Sequence, residues 1–161
     1  MRYLVFSDTH GHVDTVSQWF PNAPNAVNAV VSAGDFYRDG LALAQQWGLP
    51  YYGAQGNNDL EPDSPWHTIW DDGAFRVGVI HSHQWPVHRR LDELTQWGHE
   101  NGCQIVIFGH SHVRFYQPGV VSLLNPGAVH RPRNGQPPTA VVMDLNPDRT
   151  WSLHWIVLSK N

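Results

Sequence analysis

Short runs of apolar residues, each broken by a polar loop, set the plan of this chain. Tyr3-Leu4-Val5-Phe6, Ala29-Val30-Val31-Ser32 and Ile105-Val106-Ile107-Phe108 are continuous and too short for helices, so they predict buried strands. Further strands are predicted near 51–55, over 66–70 and 75–80 with a hairpin at Asp71-Asp72-Gly73, and over 115–116, 120–124, 140–145 and 151–158. Between some of them the period changes. Val13, Val16, Trp19 and Phe20 carry a helical spacing, with Asp14 or Thr15 as the cap and Pro21 and Pro24 as the stop. Leu41, Leu43, Ala44 and Trp47 predict a second helix ended by Gly48 and Pro50. Leu91, Leu94 and Trp97 predict a third over 87–99, with Gly102 placed to end it. Strand and helix alternate early, and strand follows strand late. That order predicts an α/β chain with mixed sheet, two sheets packed together and helices outside.

Composition narrows the picture by exclusion. A hydrophobic fraction of 41% with eight Trp excludes a disordered chain, and 161 residues without repeat or linker predict a single domain over 1–161. The net charge of −4 supplies no basic field, so no nucleic-acid partner is expected. No apolar run approaches membrane-spanning length, and Met1 to Phe6 lacks the layout of a signal peptide, which predicts a cytoplasmic protein with no membrane partner. A homo-oligomer is compatible with all of this. Cys103 is the one cysteine, so an internal disulfide and a thiolate metal site are both excluded.

The chemistry sits where the strands end. Five apolar runs each deliver oxygen or imidazole donors: Asp8 and His10, Asp35, Asn57, His81, and His110 with His112. Strand ends that share a sheet edge converge in space. Taken singly, each pair reads as a turn, since Gly-Asp and Gly-Asn-Asn-Asp are ordinary turn chemistry. Five coincidences at one topological place predict a metal centre instead. The donor set suits Mn, Fe, Co, Ni or Zn rather than a sulfur site.

Asp8-Thr9-His10-Gly11, Gly34-Asp35, Gly56-Asn57-Asn58-Asp59, His81-Ser82-His83 and Gly109-His110-Ser111-His112 match, in order, the motif series of the calcineurin-like metallophosphoesterases. The chain resembles the small prokaryotic phosphodiesterase branch of that superfamily, and Asn125-Pro126-Gly127 with Arg131-Pro132-Arg133 is similar to that branch's C-terminal signature. The resemblance implies a four-layer αββα sandwich of two mixed β-sheets and flanking helices, with two divalent transition metal ions at one edge, Mn first among them. By the same resemblance Asp8, His10 and His112 take one ion, Asn57, His81 and His110 the other, and Asp35 bridges them. Two such ions lower the pKa of a shared water toward neutrality and stabilise charge in an in-line displacement. The implied activity is hydrolysis of a phosphodiester, with a phosphomonoester as a further substrate type, on a small-molecule or nucleotide phosphate ester.

The sequence also departs from the superfamily. Larger members carry a proton-donating His after the metal-binding Asn, paired with an acid; here the residue is Asn58, followed by Asp59. Asn58 is expected to touch substrate at the catalytic position without serving as the acid. His83 is the nearest substitute acid, its alternative being a partner that orients a ligand. Ala128 stands where the signature often has Ser. Arg38, close behind Asp35, is the arginine expected to contact phosphate, while Arg131 and Arg133 are expected at the surface or in ion pairs. Two other classes compete. The scaffold subunit of the retromer complex has this fold but lost competent ligands, and all seven donor positions are competent here. Larger nuclease relatives have extra domains and basic surfaces that this chain lacks.

Overall fold

Tyr3 and Val5 of strand β1 (Arg2–Phe6) pack into one apolar layer and Leu4 and Phe6 into another, with all four side chains buried. The computed structural model, which describes residues 1–158, shows what covers each face. β1 pairs in parallel with β2 (Ala29–Ser32), which pairs in parallel with β3 (Tyr51–Gly53). On its other side β1 runs antiparallel to β9 (Thr139–Leu145), which holds β10 (Trp151–Val157) at the edge. The second sheet repeats this logic. β5 (Phe75–Ile80), β6 (Ile105–Phe108) and β8 (Ser122–Pro126) are parallel, flanked by antiparallel β4 (His67–Asp72) and β7 (Arg114–Gln117).

The layers follow from the alternation of side chains along each strand. Val5, Val31, Val77, Val79, Ile105, Ile107 and Met143 fill the space between the sheets. Leu4, Phe6 and Val30 face outward under α1 (Val13–Trp19), α2 (Ala23–Ala26) and α3 (Tyr37–Trp47). Ile80, Val106 and Phe108 face the other way, under Leu94 of α4 (Arg90–Glu100). Burying each such side chain contributes about 1.5–3 kcal/mol. Strands buried on both faces carry no polar alternation, which is why they read as continuous apolar runs. The architecture is the four-layer αββα sandwich, with two five-stranded mixed sheets.

Three local expectations change. α1 begins at Val13, so Asp14 lies in its first turn and His12 occupies the cap position with no side-chain cap bond. The chain does not simply stop at Pro21 and Pro24, because α2 forms there with the proline in its first turn, where no helical N–H is needed. The strand expected over 120–124 is displaced, since β8 runs over Ser122–Pro126 and the turn begins at Gly127. The carboxyl ends of the six parallel strands, β1, β2, β3, β5, β6 and β8, lead into the loops that form the site.

Candidate metal centre

The loops that leave these strands turn sharply, and the donor residues themselves make the turns. Asp8, His10, Asp35, His110 and His112 have φ values of 55, 45, 51, 68 and 59°. Non-glycine residues adopt this left-handed region rarely, Asp and His more readily than most, at a cost of about 1–3 kcal/mol each. The surrounding bonds hold them there. Asp8 N–H donates to Gly34 O at 3.0 Å, and Asp8 O accepts from His130 N–H at 3.1 Å. Thr9 Oγ1 and Gly11 N–H both donate to Asp39 Oδ2, at 2.7 and 3.0 Å. Asp59 accepts from Tyr37 N–H and Gly56 N–H, each at 2.7 Å, and so ties the start of α3 to the Gly56–Asn58 loop. Space is equally tight behind His81, where a Cβ on Gly109 would stand 2.8 Å from Ala33 O and 3.0 Å from His81 Nδ1.

Two groups of donors result, with Asp35 touching both. Donor atoms of Asp8, His10, Asp35 and His112 all lie within 4.8 Å of one another. His112 Nε2 is 3.2 Å from Asp8 Oδ1, and His10 Nε2 is 3.5 Å from Asp35 Oδ2. On the other side, His81 Nε2 lies 3.3 Å from Asp35 Oδ1 and 3.2 Å from Asn57 Oδ1. The His81 and His110 rings stand 5.2 Å apart.

On His81 and His112 the Nδ1–H groups point away from the centre. His81 Nδ1 is 2.7 Å from Ala33 O, and His112 Nδ1 is 2.8 Å from Arg131 O. A carbonyl only accepts, so each Nδ1 carries a proton and each Nε2 faces inward. Both carboxylate oxygens of Asp8 and Nε2 of His10 are buried with no hydrogen-bond partner. Burial would raise the Asp8 carboxyl, but contact with His112 and the charges of His81 and His112 outweigh it and lower its pKa. Burial first, then the charges of His81 and Arg90, pushes His110 down to about 4, so its ring is neutral at pH 7. Contact with Asp8 raises His112 against the opposing effect of burial. A concentration of buried lone pairs without donors fits cations of the hard-to-borderline divalent type.

The cluster floors a cleft of about 530 Å³ lined by His10, Asp35, Asn57, Asn58, His110, His112 and the Arg131–Arg133 loop. Asn58 lines it, donating from its backbone N–H to Asp35 Oδ1 at 3.0 Å and from Nδ2 to Asp35 Oδ2 at 2.7 Å. His83 lies just outside, its ring 5.5 Å from that of His81 and 6.2 Å from that of His110, stacked on Trp66 at 5.2 Å. Burial, then the charge of His81, lowers its pKa. Arg38 and the exposed Arg131 and Arg133 line different hollows. Arg38 lies on α3, pairs with Glu61 at 3.1 Å and lines a separate hollow, whereas Arg131 and Arg133 line the cleft. Helix periodicity puts Arg38 close to Asp35 in sequence but turns its side chain outward.

Several supporting residues are not evident from ligand motifs. Asn125 Nδ2 donates to Gly109 O at 3.1 Å and Ser111 Oγ at 3.0 Å, and its Oδ1 accepts from Gly127 N–H at 2.9 Å. Ser111 is therefore more than a spacer between two histidines. The Asn-Pro-Gly motif was the visible signal for this brace. His12 and His130 stack at 3.9 Å beside His10, a pairing no linear spacing indicates.

Comparison with known proteins converges on the same reading. The profile of the calcineurin-like phosphoesterase superfamily domain matches residues 1–148. The probable metallophosphoesterase MG207 of Mycoplasma genitalium is 27% identical over 173 aligned residues, covering 99% of this chain and 98% of that one. The crystal structure of a conserved uncharacterized protein of Streptococcus pneumoniae, described as a predicted phosphoesterase, superposes with a TM-score of 0.83 at 22% identity, covering 98% of this chain and 89% of that one. Wild-type Vps29 of Entamoeba histolytica, solved with Zn²⁺, has a TM-score of 0.73 at 18% identity, with 99% and 100% covered.

Proposed function

The chain belongs to the calcineurin-like phosphoesterase superfamily, and from that premise we propose that it is a two-metal phosphoesterase acting on phosphodiesters of small-molecule or nucleotide type. The observation that carries this reading is the donor cluster. Both Asp8 oxygens and His10 Nε2 are buried without a hydrogen-bond partner, and Nε2 of His81 and of His112 face the same space. In this proposal Asp8, His10 and His112 hold one ion, Asn57, His81 and His110 the other, and Asp35 both. Manganese is the first candidate, with Fe, Ni, Co and Zn compatible with the same donors.

Divalent ions held there supply Lewis-acid charge for the phosphoryl oxygens and a water activated near neutral pH. The chain does the rest. Ala33 O and Arg131 O orient two of the imidazoles, and Asp39 and Asp59 brace the loops that carry the carboxylates. The Asn58 amide, close on Asp35, offers a neutral donor at the cleft floor and no proton for a leaving group. His83 is the nearest ring able to carry one, and its lowered pKa keeps it neutral at pH 7. A site so built favours esters whose leaving group departs as a stable anion.

All seven donor positions hold competent ligands, and this favours catalysis over a purely scaffolding role for the same fold. The test uses protein stripped of metal and reloaded with single ions, assayed on matched aryl diesters and monoesters. Activity dependent on the ion, faster on the diester, is expected. Faster monoester turnover would overturn the diester assignment, and metal-independent or absent hydrolysis would overturn the enzyme. Asp35→Asn is expected to abolish turnover and weaken binding of both ions.

A further inference from the structure

Three arginines on the His110–His112 flank of the cleft have no carboxylate within ion-pair distance among the described residues, although the chain is acidic overall. Arg131 and Arg133 are exposed and line the cleft itself. Arg90 is buried, with 8% exposed, and its bonds run from Nε to Ser82 O at 3.2 Å and from Nη2 to Trp85 O at 3.0 Å. A guanidinium held in a buried place by neutral carbonyls alone is costly, because nothing nearby balances its charge. The charge of Arg133 is felt at Arg90 and at His112, and that of Arg90 at His110, so these two act on one region, and Arg131 lines the same cleft.

The Arg131–Arg133 loop is also fixed in place. His112 Nδ1 donates to Arg131 O at 2.8 Å, and Arg133 N–H donates to His112 O at 2.9 Å. Arg131 turns the chain with φ of 54°, followed by Asn134 at 55°. Both guanidiniums are thereby carried on a loop whose backbone is tied to a residue of the donor cluster.

What anion do they serve? A diester phosphate has two non-bridging oxygens, and under the phosphoesterase reading ions held by the donor cluster would neutralise that group. The cleft, at about 530 Å³, is several times larger than one phosphate group needs. Charge and space are both left over on the same flank. Resting on that reading, we propose that Arg131 and Arg133, reinforced by the field of Arg90, bind a second phosphoryl group of the substrate, so that the cleft selects phosphate esters bearing two phosphoryl groups. Arg suits this task because its planar fork meets phosphate oxygens in pairs.

Two matched probes test it: the p-nitrophenyl 5′-ester of thymidine 5′-phosphate and the corresponding ester of thymidine 3′,5′-bisphosphate. They share the scissile diester and leaving group and differ in the 3′-phosphoryl group. Metal-loaded protein is expected to prefer the bisphosphate by about ten- to a hundredfold in kcat/KM, mostly through KM, as charge-assisted hydrogen bonds warrant. Arg131→Gln with Arg133→Gln should collapse that preference, since glutamine keeps the backbone bonds to His112 and removes the charge. Calorimetric titration provides a readout independent of turnover. Thymidine 3′,5′-bisphosphate should bind more tightly than thymidine 5′-monophosphate, with the difference shrinking in high salt and in the double variant. Equal turnover of the two probes, or a preference that survives the double variant, would overturn the anion site while leaving the phosphoesterase standing. Arginine-dependent binding without hydrolysis of either probe would do the reverse.

Discussion

Gly56 and Asp35 are in such close apposition that a Cβ at position 56 would stand 2.8 Å from Asp35 Cα and nearer still to its carboxylate. The glycine before Asn57 therefore exists to let the β3 loop close over the residue shared by both donor groups. Gly56→Ala should push Asp35 aside and lower metal affinity by about ten- to a hundredfold, the range seen when residues supporting metal ligands are changed. Metal content after dialysis at fixed free ion, with circular dichroism to check the fold, measures this. Retention of wild-type affinity would mean that the loop can relax.

Asn125 links β8 to the loop carrying His110 and His112 by two hydrogen bonds, and its Oδ1 takes the Gly127 N–H in a third. Asn125→Ala leaves the Gly127 N–H without this acceptor, while the Gly109 carbonyl keeps the Ser111 N–H at 2.8 Å. The expected loss of stability is about 1–3 kcal/mol per group left unpaired, read as a lower urea midpoint with an unchanged slope. Ser111→Ala removes one of these bonds together with two longer ones to Val113, at 3.3 and 3.4 Å, and should cost less. A reversed order would show that the serine, not the asparagine, anchors the loop.

Proton traffic should accompany metal uptake. In the ion-free protein His112 is raised above its ordinary 6.5 by Asp8, so the pair stabilises the fold fully below that pH and the contribution is lost as pH rises through the folded value. An ion at Nε2 must displace that proton. Metal affinity should fall as pH drops through the same window, while calorimetry in buffers of differing ionisation enthalpy detects released protons. The release should fade toward alkaline pH and be lost from this residue in His112→Gln. Uptake without release would show that His112 binds no ion.

Arg38 offers the contrast to the cleft arginines. Its side chain is exposed and paired with Glu61 across a separate hollow. Arg38→Ala should change kcat/KM by less than about twofold and stability by no more than about 0.5 kcal/mol. A tenfold loss of activity would place phosphate contacts where the structure puts none.

The linear pattern carried a good deal of this. Strands such as Val30-Val31 and Ile105-Val106-Ile107 are apolar on both faces because each lies between two layers, so their positions and the αββα order were legible. The donors were legible too, because each follows its strand at once and a short loop has little freedom in where it puts them. Element ends were less so. Asn125-Pro126 looks like a turn because proline rarely continues a ladder, yet pairing with Arg114 at the end of β8 accommodates it.

At the donor cluster itself, the sequence determined which residues could serve and in what order they arrive, since that depends on chemical type and local spacing. Tertiary structure alone decided the protonated nitrogen of His81 and His112, the left-handed backbone at five donor residues, and which arginines face the cleft. Those depend on partners such as Ala33 O and Arg131 O, 48 and 19 residues distant along the chain. No local pattern encodes such a contact, because it is made only when two sheets bring their strand ends to one rim.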